Sequence, residues 1–215
     1  MRAERFALLE GLGVVHAFSL RQPGLDVAVP REEALLRLQP AHTQLREQLG
    51  FGGRLFCSAE QVHGAVVAVV EAGAPPVFGG CDGLLTQDPG VCLGIYTADC
   101  CAVFLVDPIR RAVGLLHSGA KGTRLGITRI AIERMGSAFG SDPEDLVAVL
   151  SPCIRPPLYE VDFAAEIREQ CARAGLLQVM DTGACTGREL EKYYSYRMER
   201  GLTGRMLALI GIHTG

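Results

Sequence analysis

Apolar residues crowd most densely between Gly90 and Thr123, GVCLGIYTADCCAVFLVDPIRRAVGLLHSGAKGT. The pattern is an apolar run, the polar cluster Asp99-Cys100-Cys101, a second apolar run, a turn at Asp107-Pro108, and a third run ending on His117. Short continuous apolar runs bounded by turn residues read as buried strands. A glycine-punctuated basic loop, Ser118 to Gly122, follows. Gly13 to Ser19, Arg54 to Cys57, Ala65 to Val70, Cys81 to Thr86, Leu146 to Leu150 and Arg205 to Ile212 carry the same signal and are expected strands.

Helical spacing is confined to fewer places. One helix is expected to begin near Arg31, with Ala34, Leu35 and Leu38 on one face. Pro40 is expected to interrupt it, and a second piece covers His42 to Leu49, stopped by Gly50. Gly122 to Phe139 repeats apolar positions at Ile127, Ile130, Ala131 and Met135. Phe163 to Ala174 is amphipathic and ends before Gly175, and Glu189 to Tyr196 is a shorter helical candidate. Gly73 to Gly80 and the proline-rich Ser151 to Pro157 read as loops. Strands outnumber helices and do not alternate strictly with them. The expected fold is therefore α+β, a mixed β-sheet sandwich with flanking helices, built as a single domain over 1–215.

Composition narrows the function. With 48% apolar residues, 215 residues can bury a full core. The net charge is −3, from 21 basic and 24 acidic residues without a long run of either sign. That excludes an extended nucleic-acid surface and a polybasic membrane patch. No apolar stretch approaches the roughly 20 residues that span a bilayer. The beginning of the chain, MRAERFALLEGLG, has no signal-peptide core, so a cytoplasmic protein is expected. Eight cysteines without a CxxC pair read as buried free thiols rather than a disulfide framework or zinc ribbon.

Histidine is scarce, five in all, yet His63 and His117 both stand where an apolar run meets a glycine-containing turn. Cys100 ends a run in the same way. Two imidazoles and one thiolate can hold a zinc ion and leave a fourth position open. Separations of 37 and then 17 residues suit ligands drawn from different strands. The same trio can equally be a thiolate nucleophile beside an imidazole base, and spacing leaves both readings open. Asp99 is a candidate for proton transfer or for orienting a histidine, and Gln61 for a base or a sugar contact. Lys121, just before a helix start expected near Thr123, is a candidate anion site. Arg21, with Ser19 beside it at the end of the first long strand, and Arg197 are further candidates for a phosphate. Tyr193, Tyr194 and Tyr196 read as core residues in preference to base-stacking ones. Gly11-Leu12-Gly13 precedes a strand and is no dinucleotide fingerprint.

Seven short motifs occur in order: Gln61-Val62-His63-Gly64, Cys81-Asp82-Gly83-Leu84-Leu85-Thr86, Ala98-Asp99-Cys100-Cys101, His117-Ser118-Gly119, Ser151-Pro152-Cys153-Ile154, Tyr159-Glu160-Val161 and Thr203-Gly204-Arg205-Met206. As an ordered set, spanning nearly the whole chain, they resemble the YfiH/YlmD family, also called the laccase-domain or multicopper polyphenol oxidoreductase family. The resemblance implies a sandwich related to cysteine-hydrolase-like domains, and zinc held by His63, Cys100 and His117. It implies phosphorolysis of adenosine, inosine, guanosine and methylthioadenosine, and deamination of adenosine. Older descriptions of the family assign copper-dependent phenol oxidation, and some bacterial members are linked to peptidoglycan precursor editing, which a Cys-His hydrolase or amidase would suit. Five histidines are too few to fill several copper sites, so zinc is expected over copper. Small-molecule purine nucleoside and phosphate are the expected partners, and the chain is expected to act as a monomer.

The chain departs from the family around the pocket. The usual HAGWRG reads His117-Ser118-Gly119-Ala120-Lys121-Gly122, so Ala120 replaces a tryptophan and Lys121 an arginine; the chain has no tryptophan at all. Ala102 stands in place of a proline, and the early glycine-rich loop is shortened to Pro23-Gly24-Leu25-Asp26-Val27. These changes bear on the substrate; the expected metal ligands are intact.

Overall fold

In the computed structural model, which describes residues 1–214, the elements follow in this order. They are β1 (Ala3–Glu4), β2 (Val14–Ser19), α1 (Arg31–Gln48), β3 (Leu55–Ala59), β4 (Val67–Val69), β5 (Val77–Phe78), β6 (Gly83–Thr86) and β7 (Val91–Thr97). Then come β8 (Cys101–Asp107), β9 (Ala112–Ser118), α2 (Ala120–Arg124), α3 (Ile127–Phe139), β10 (Val147–Leu150), α4 (Phe163–Ala174), β11 (Gln178–Asp181) and β12 (Met206–Ile212). Among the described residues the strands form two six-stranded mixed sheets, ordered β1-β2-β12-β7-β3-β5 and β11-β10-β8-β9-β6-β4. The pairs β3–β5, β3–β7, β4–β6 and β10–β11 are parallel and the rest antiparallel.

The period of two along each strand explains the layering. In β8, Ala102, Phe104 and Val106 enter a core shared with Leu93 and Ile95 of β7 and Met206, Ala208 and Ile210 of β12. That core lies between the sheets. The alternate residues Cys101, Val103 and Leu105 face outward onto Ile127, Ala131 and Met135 of α3 and Phe163, Ile167 and Cys171 of α4. On the far side, Leu207 and Leu209 of β12 pack with Cys92 and with Leu45 of α1. Strands with both faces covered are apolar throughout, which is why the sequence shows continuous runs there and not alternation. The α+β sandwich with flanking helices is thus the observed architecture.

Local expectations fail in four places. Pro40 does not break α1, which runs through it as one 18-residue helix. A proline removes the bond to the carbonyl four residues back. Leu36 is 68% exposed and Pro40 is exposed as well, so water can serve that carbonyl, while Ala34, Leu38, His42 and Leu45 hold the buried stripe across the proline. The helix expected over Gly122 to Phe139 is two helices, parted by Gly126 at φ 80°, and Lys121 lies inside the first of them. Glu189 to Tyr196 forms turns, not a helix. There Tyr193 and Tyr194 are fully buried, the Tyr193 carbonyl accepts from Arg21, and the Tyr194 hydroxyl accepts from the Gln22 N–H at 2.9 Å. Gly204 leaves room for the Tyr194 ring, which a β-carbon would meet at 2.6 Å. The short edge strands β1, β5 and β11 carry too little pattern to be expected from the sequence, and β5 falls inside the segment read as loop. No described helix is long and apolar enough to cross a membrane.

Candidate active site and metal centre

The hairpin β8–β9 sets the distance between two of the expected ligands. Its register pairs Cys101 with Ser118 and Ala102 with His117. Cys100, one step before β8, therefore lies against Gly119, one step past β9. A β-carbon on Gly119 would stand 2.5 Å from the Cys100 sulfur, so only glycine leaves that space to the thiol. His63 reaches the same point from the loop after β3, its backbone at φ 57°. Its ring meets that of His117 edge-on, with centroids 4.8 Å apart. The ligating atoms offered by His63, Cys100 and His117 all lie within 4.8 Å of one another.

One carboxylate organises this trio. Asp82, fully buried just before β6, accepts from the N–H groups of Val62 (3.2 Å), His63 (2.9 Å) and Gly64 (2.7 Å) and lies 2.8 Å from His117 Nδ1. An ionised carboxylate only accepts, so Nδ1 of His117 carries a proton and Nε2 is the nitrogen left to face Cys100, where it can ligate a metal once it gives up its own proton. The Asp82 carbonyl also accepts the His117 N–H at 2.7 Å. Burial opposes the charge of Asp82, but these hydrogen bonds win and hold its pKa below the usual carboxylate value. Asp82 was not singled out as a site residue from the sequence. The signal available was its place in the Cys81-Asp82-Gly83 motif.

The charges in the trio support one another. Burial pushes the Cys100 thiol up, yet the charge of His117 and hydrogen bonds from His117 and His63 bring it down to about 6. Burial pushes His117 down, yet the Cys100 thiolate and Asp82 raise it to about 9. A thiolate and two imidazoles, one braced by a carboxylate, is a donor set that fits a four-coordinate zinc with one position open. The other described histidines are elsewhere. His16 Nε2 accepts from the Phe6 N–H at 2.8 Å, and His42 is buried against Tyr96.

The trio opens into a cavity of about 980 Å³, also lined by Gln61, Asp99, Lys121, Ile154, Tyr159, Phe163, Tyr196 and Arg205. Gln61 and Asp99 are present, but their polar ends are engaged. Gln61 Nε2 donates to the Tyr96 carbonyl at 2.5 Å and its Oε1 accepts the Tyr96 N–H at 3.0 Å. Asp99, at φ 84°, accepts from the Thr186 hydroxyl and from the Arg197 N–H, both at 2.7 Å. Orientation of a histidine, expected of Asp99, is performed by Asp82, because the turned backbone aims the Asp99 carboxylate at the 195–201 segment. Lys121 is exposed on the cavity wall. Arg197 also lines it, paired with Glu160 at 2.7 and 2.9 Å.

Arg21 and Ser19 are not brought to this cavity. The Arg21 guanidinium is held by Glu199 at 2.7 Å and by the Tyr193 carbonyl. Ser19 is fully buried and its hydroxyl accepts the Leu207 N–H at 2.7 Å. Tyr193 and Tyr194 are core residues, as expected, whereas Tyr196 is 55% exposed at the cavity mouth.

The chain is 34% identical to a purine nucleoside phosphorylase of Deinococcus radiodurans over 94% of its own length and 90% of the relative's. It is 30% identical to the purine nucleoside phosphorylase YlmD of Geobacillus stearothermophilus, over 78% of this chain and 76% of that one. Among solved structures, YlmD of G. stearothermophilus superposes with a TM-score of 0.83 at 25% identity, covering 96% of this chain and 94% of that one. The hypothetical protein YfiH of Bacillus licheniformis superposes with a TM-score of 0.84 at 24% identity, covering 94% of each chain. Residues 23–166 and 161–213 match the family model described as multi-copper polyphenol oxidoreductase laccase. With the ordered motifs, the sandwich and these relatives in agreement, the chain belongs to the YfiH/YlmD laccase-domain family.

Proposed function

We propose that the chain is a purine nucleoside phosphorylase working in the cavity around His63, Cys100 and His117. Adenosine, inosine, guanosine and methylthioadenosine are its candidate substrates, and deamination of adenosine is a second activity of the same site. The observation that carries this reading is the convergence of the trio on the wall of a cavity that also has aromatic and cationic residues. The names of the relatives supply the reaction class. In phosphorolysis a phosphate oxygen bonds to C1′ as the C1′–N9 bond breaks. The electron pair stays with the base, which leaves with a proton, and ribose 1-phosphate remains.

His63, Cys100 and His117 would hold zinc, which when bound supplies Lewis-acid stabilisation of negative charge. The remaining work falls to the chain. Asp82 keeps the His117 tautomer and the His63 backbone fixed. Ile154, Tyr159, Phe163 and Tyr196 form the apolar side against which a purine can lie, and Lys121 offers a charge to phosphate. Gln61 and Asp99, bound to backbone and hydroxyl groups, hold the cavity walls in place.

Incubation with inosine and phosphate, followed by mass spectrometry, should yield hypoxanthine and ribose 1-phosphate. Cys100→Ala should abolish both products and the bound metal. A Cys100→Ala protein with undiminished turnover would refute the assignment. Elemental analysis should return about one zinc per chain; stoichiometric copper would instead favour phenol oxidation. A second reading, metal-free hydrolysis by a Cys100–His117 pair, has the contact between those side chains in its favour. Activity that survives a strong chelator but not a thiol alkylator would select it.

A further inference from the structure

The cavity wall carries more positive charge than a nucleoside and a phosphate ion require. Arg31, Lys121, Arg124, Arg197, Arg200 and Arg205 all line it, against one acid, Asp99. Arg197 is balanced by Glu160. The other five have no carboxylate within ion-pair distance among the described residues. This happens in a chain whose net charge is −3, so the clustering is local and not a by-product of composition.

Arg205 is the sharpest case. It is 7% exposed, and its Nη1 donates to the carbonyls of Thr203 (2.8 Å) and Gly204 (2.9 Å), with the guanidinium 5.7 Å from the Tyr196 ring. A buried guanidinium without a carboxylate is costly, and its planar fork is matched to a pair of oxygens on a carboxylate or phosphate. Asp99 and an inorganic phosphate, which carries about two negative charges at pH 7, together leave about two of the five cations unbalanced. Size points the same way. At about 980 Å³ the cavity is at the upper end of the roughly 300–1,000 Å³ of small-molecule sites.

We propose that this cavity recognises a phosphorylated purine ligand, a nucleoside 5′-phosphate or polyphosphate, whose phosphate tail lies among Arg31, Arg124, Arg200 and Arg205. The purine part rests on the phosphorylase reading above; the anionic tail rests on the charge count and on Arg205. Such a ligand acts either as substrate, giving ribose 1,5-bisphosphate on phosphorolysis, or as a competitor of the nucleoside.

The test is isothermal titration of the metal-loaded full chain with adenosine, adenosine 5′-monophosphate and inorganic phosphate separately, at about 50 and 300 mM salt. Adenosine turnover is followed on the same preparation. The monophosphate should bind at least tenfold tighter than adenosine at low salt, and the advantage should shrink at high salt. Arg200→Gln and Arg31→Gln should each cut the ratio of the two affinities at least threefold. Binding of the monophosphate no tighter than adenosine, with phosphate alone still bound, would overturn the proposal and leave the cations to the phosphate co-substrate. Tight monophosphate binding without adenosine turnover would support it while removing the phosphorylase reading.

Discussion

Asp82 and His117 are 2.8 Å apart, carboxylate to Nδ1, and the same carboxylate fixes the backbone of His63. One buried acid thereby orients a ring on a strand and a loop that arrives from the opposite sheet. Asp82→Asn presents an NH₂ group where only acceptors fit. Loss of a partner supporting a ligand typically costs 10–100-fold in metal affinity, and a buried donor left unpaired costs about 1–3 kcal/mol. For the zinc site proposed above, chelator competition should therefore report at least tenfold weaker metal binding, and denaturant titration a loss of about 1–3 kcal/mol. Unchanged zinc affinity would detach Asp82 from the role assigned here.

Gly119→Ala places a methyl group where the Cys100 sulfur stands, 2.5 Å away. The thiol must move or the hairpin end must open, and overpacking of this kind costs about 1–3 kcal/mol. Nucleoside turnover should drop by more than tenfold, while the far-ultraviolet circular dichroism spectrum stays that of the parent. Retained turnover would mean that the thiol position is not critical.

Asp99 accepts from a hydroxyl and a backbone N–H, so its amide counterpart can satisfy both: the amide oxygen accepts from Arg197 and the NH₂ donates to the Thr186 hydroxyl, which can rotate. Asp99→Asn should keep kcat/KM within about threefold and stability within about 1 kcal/mol, whereas Asp99→Ala should lose about 2–4 kcal/mol. If Asp99 carries a proton in the reaction, Asn will be as inactive as Ala. The pair of variants separates the clamp from the acid.

His16 is buried, and burial, with the charge of Arg5, lowers its pKa to about 4 from an ordinary 6.5. His42 is lowered to about 4 as well, by burial against the pull of a backbone hydrogen bond. Below about pH 6.5 the unfolded chain takes up these protons and the folded chain does not. Their stability contribution is complete above 6.5 and is lost as the pH falls toward 4, by up to about 3 kcal/mol each. His16→Gln keeps an acceptor for the Phe6 N–H but cannot titrate. Its denaturation midpoint should fall less steeply than the parent's between pH 6.5 and 4; an identical slope would mean that His16 is protonated when folded.

What could be read in the sequence follows from how locally each feature is determined. The β8–β9 hairpin and α4 carry their own pattern, and the neighbourhood of Cys100 and His117 follows from strand length alone. Tyr193 and Tyr194 could be placed in the core by composition. The continuity of α1 through Pro40 depends on which side faces water, and the turns of 189–196 on bonds to Arg21 and Gln22, some 170 positions earlier in the chain. Arg21 looked free for a ligand because its partner Glu199 is equally distant. Asp82 carries no periodic signal, since its importance arises only when two separate segments, the 62–64 loop and the end of β9, meet at its oxygens.

The register of β8 against β9 has an evolutionary consequence. The thiol and one imidazole are spaced by a ladder whose every rung is buried, so a one-residue slip in the Asp107–Arg111 connection would turn half of two cores inside out. Selection on the core thus also guards the spacing of the reactive atoms. Ala120, Lys121 and the segments around Tyr159 and Tyr196 lie outside that ladder. Nothing in that ladder holds them, so a substitution there can alter the cavity wall while the spacing of the reactive atoms stays as it is.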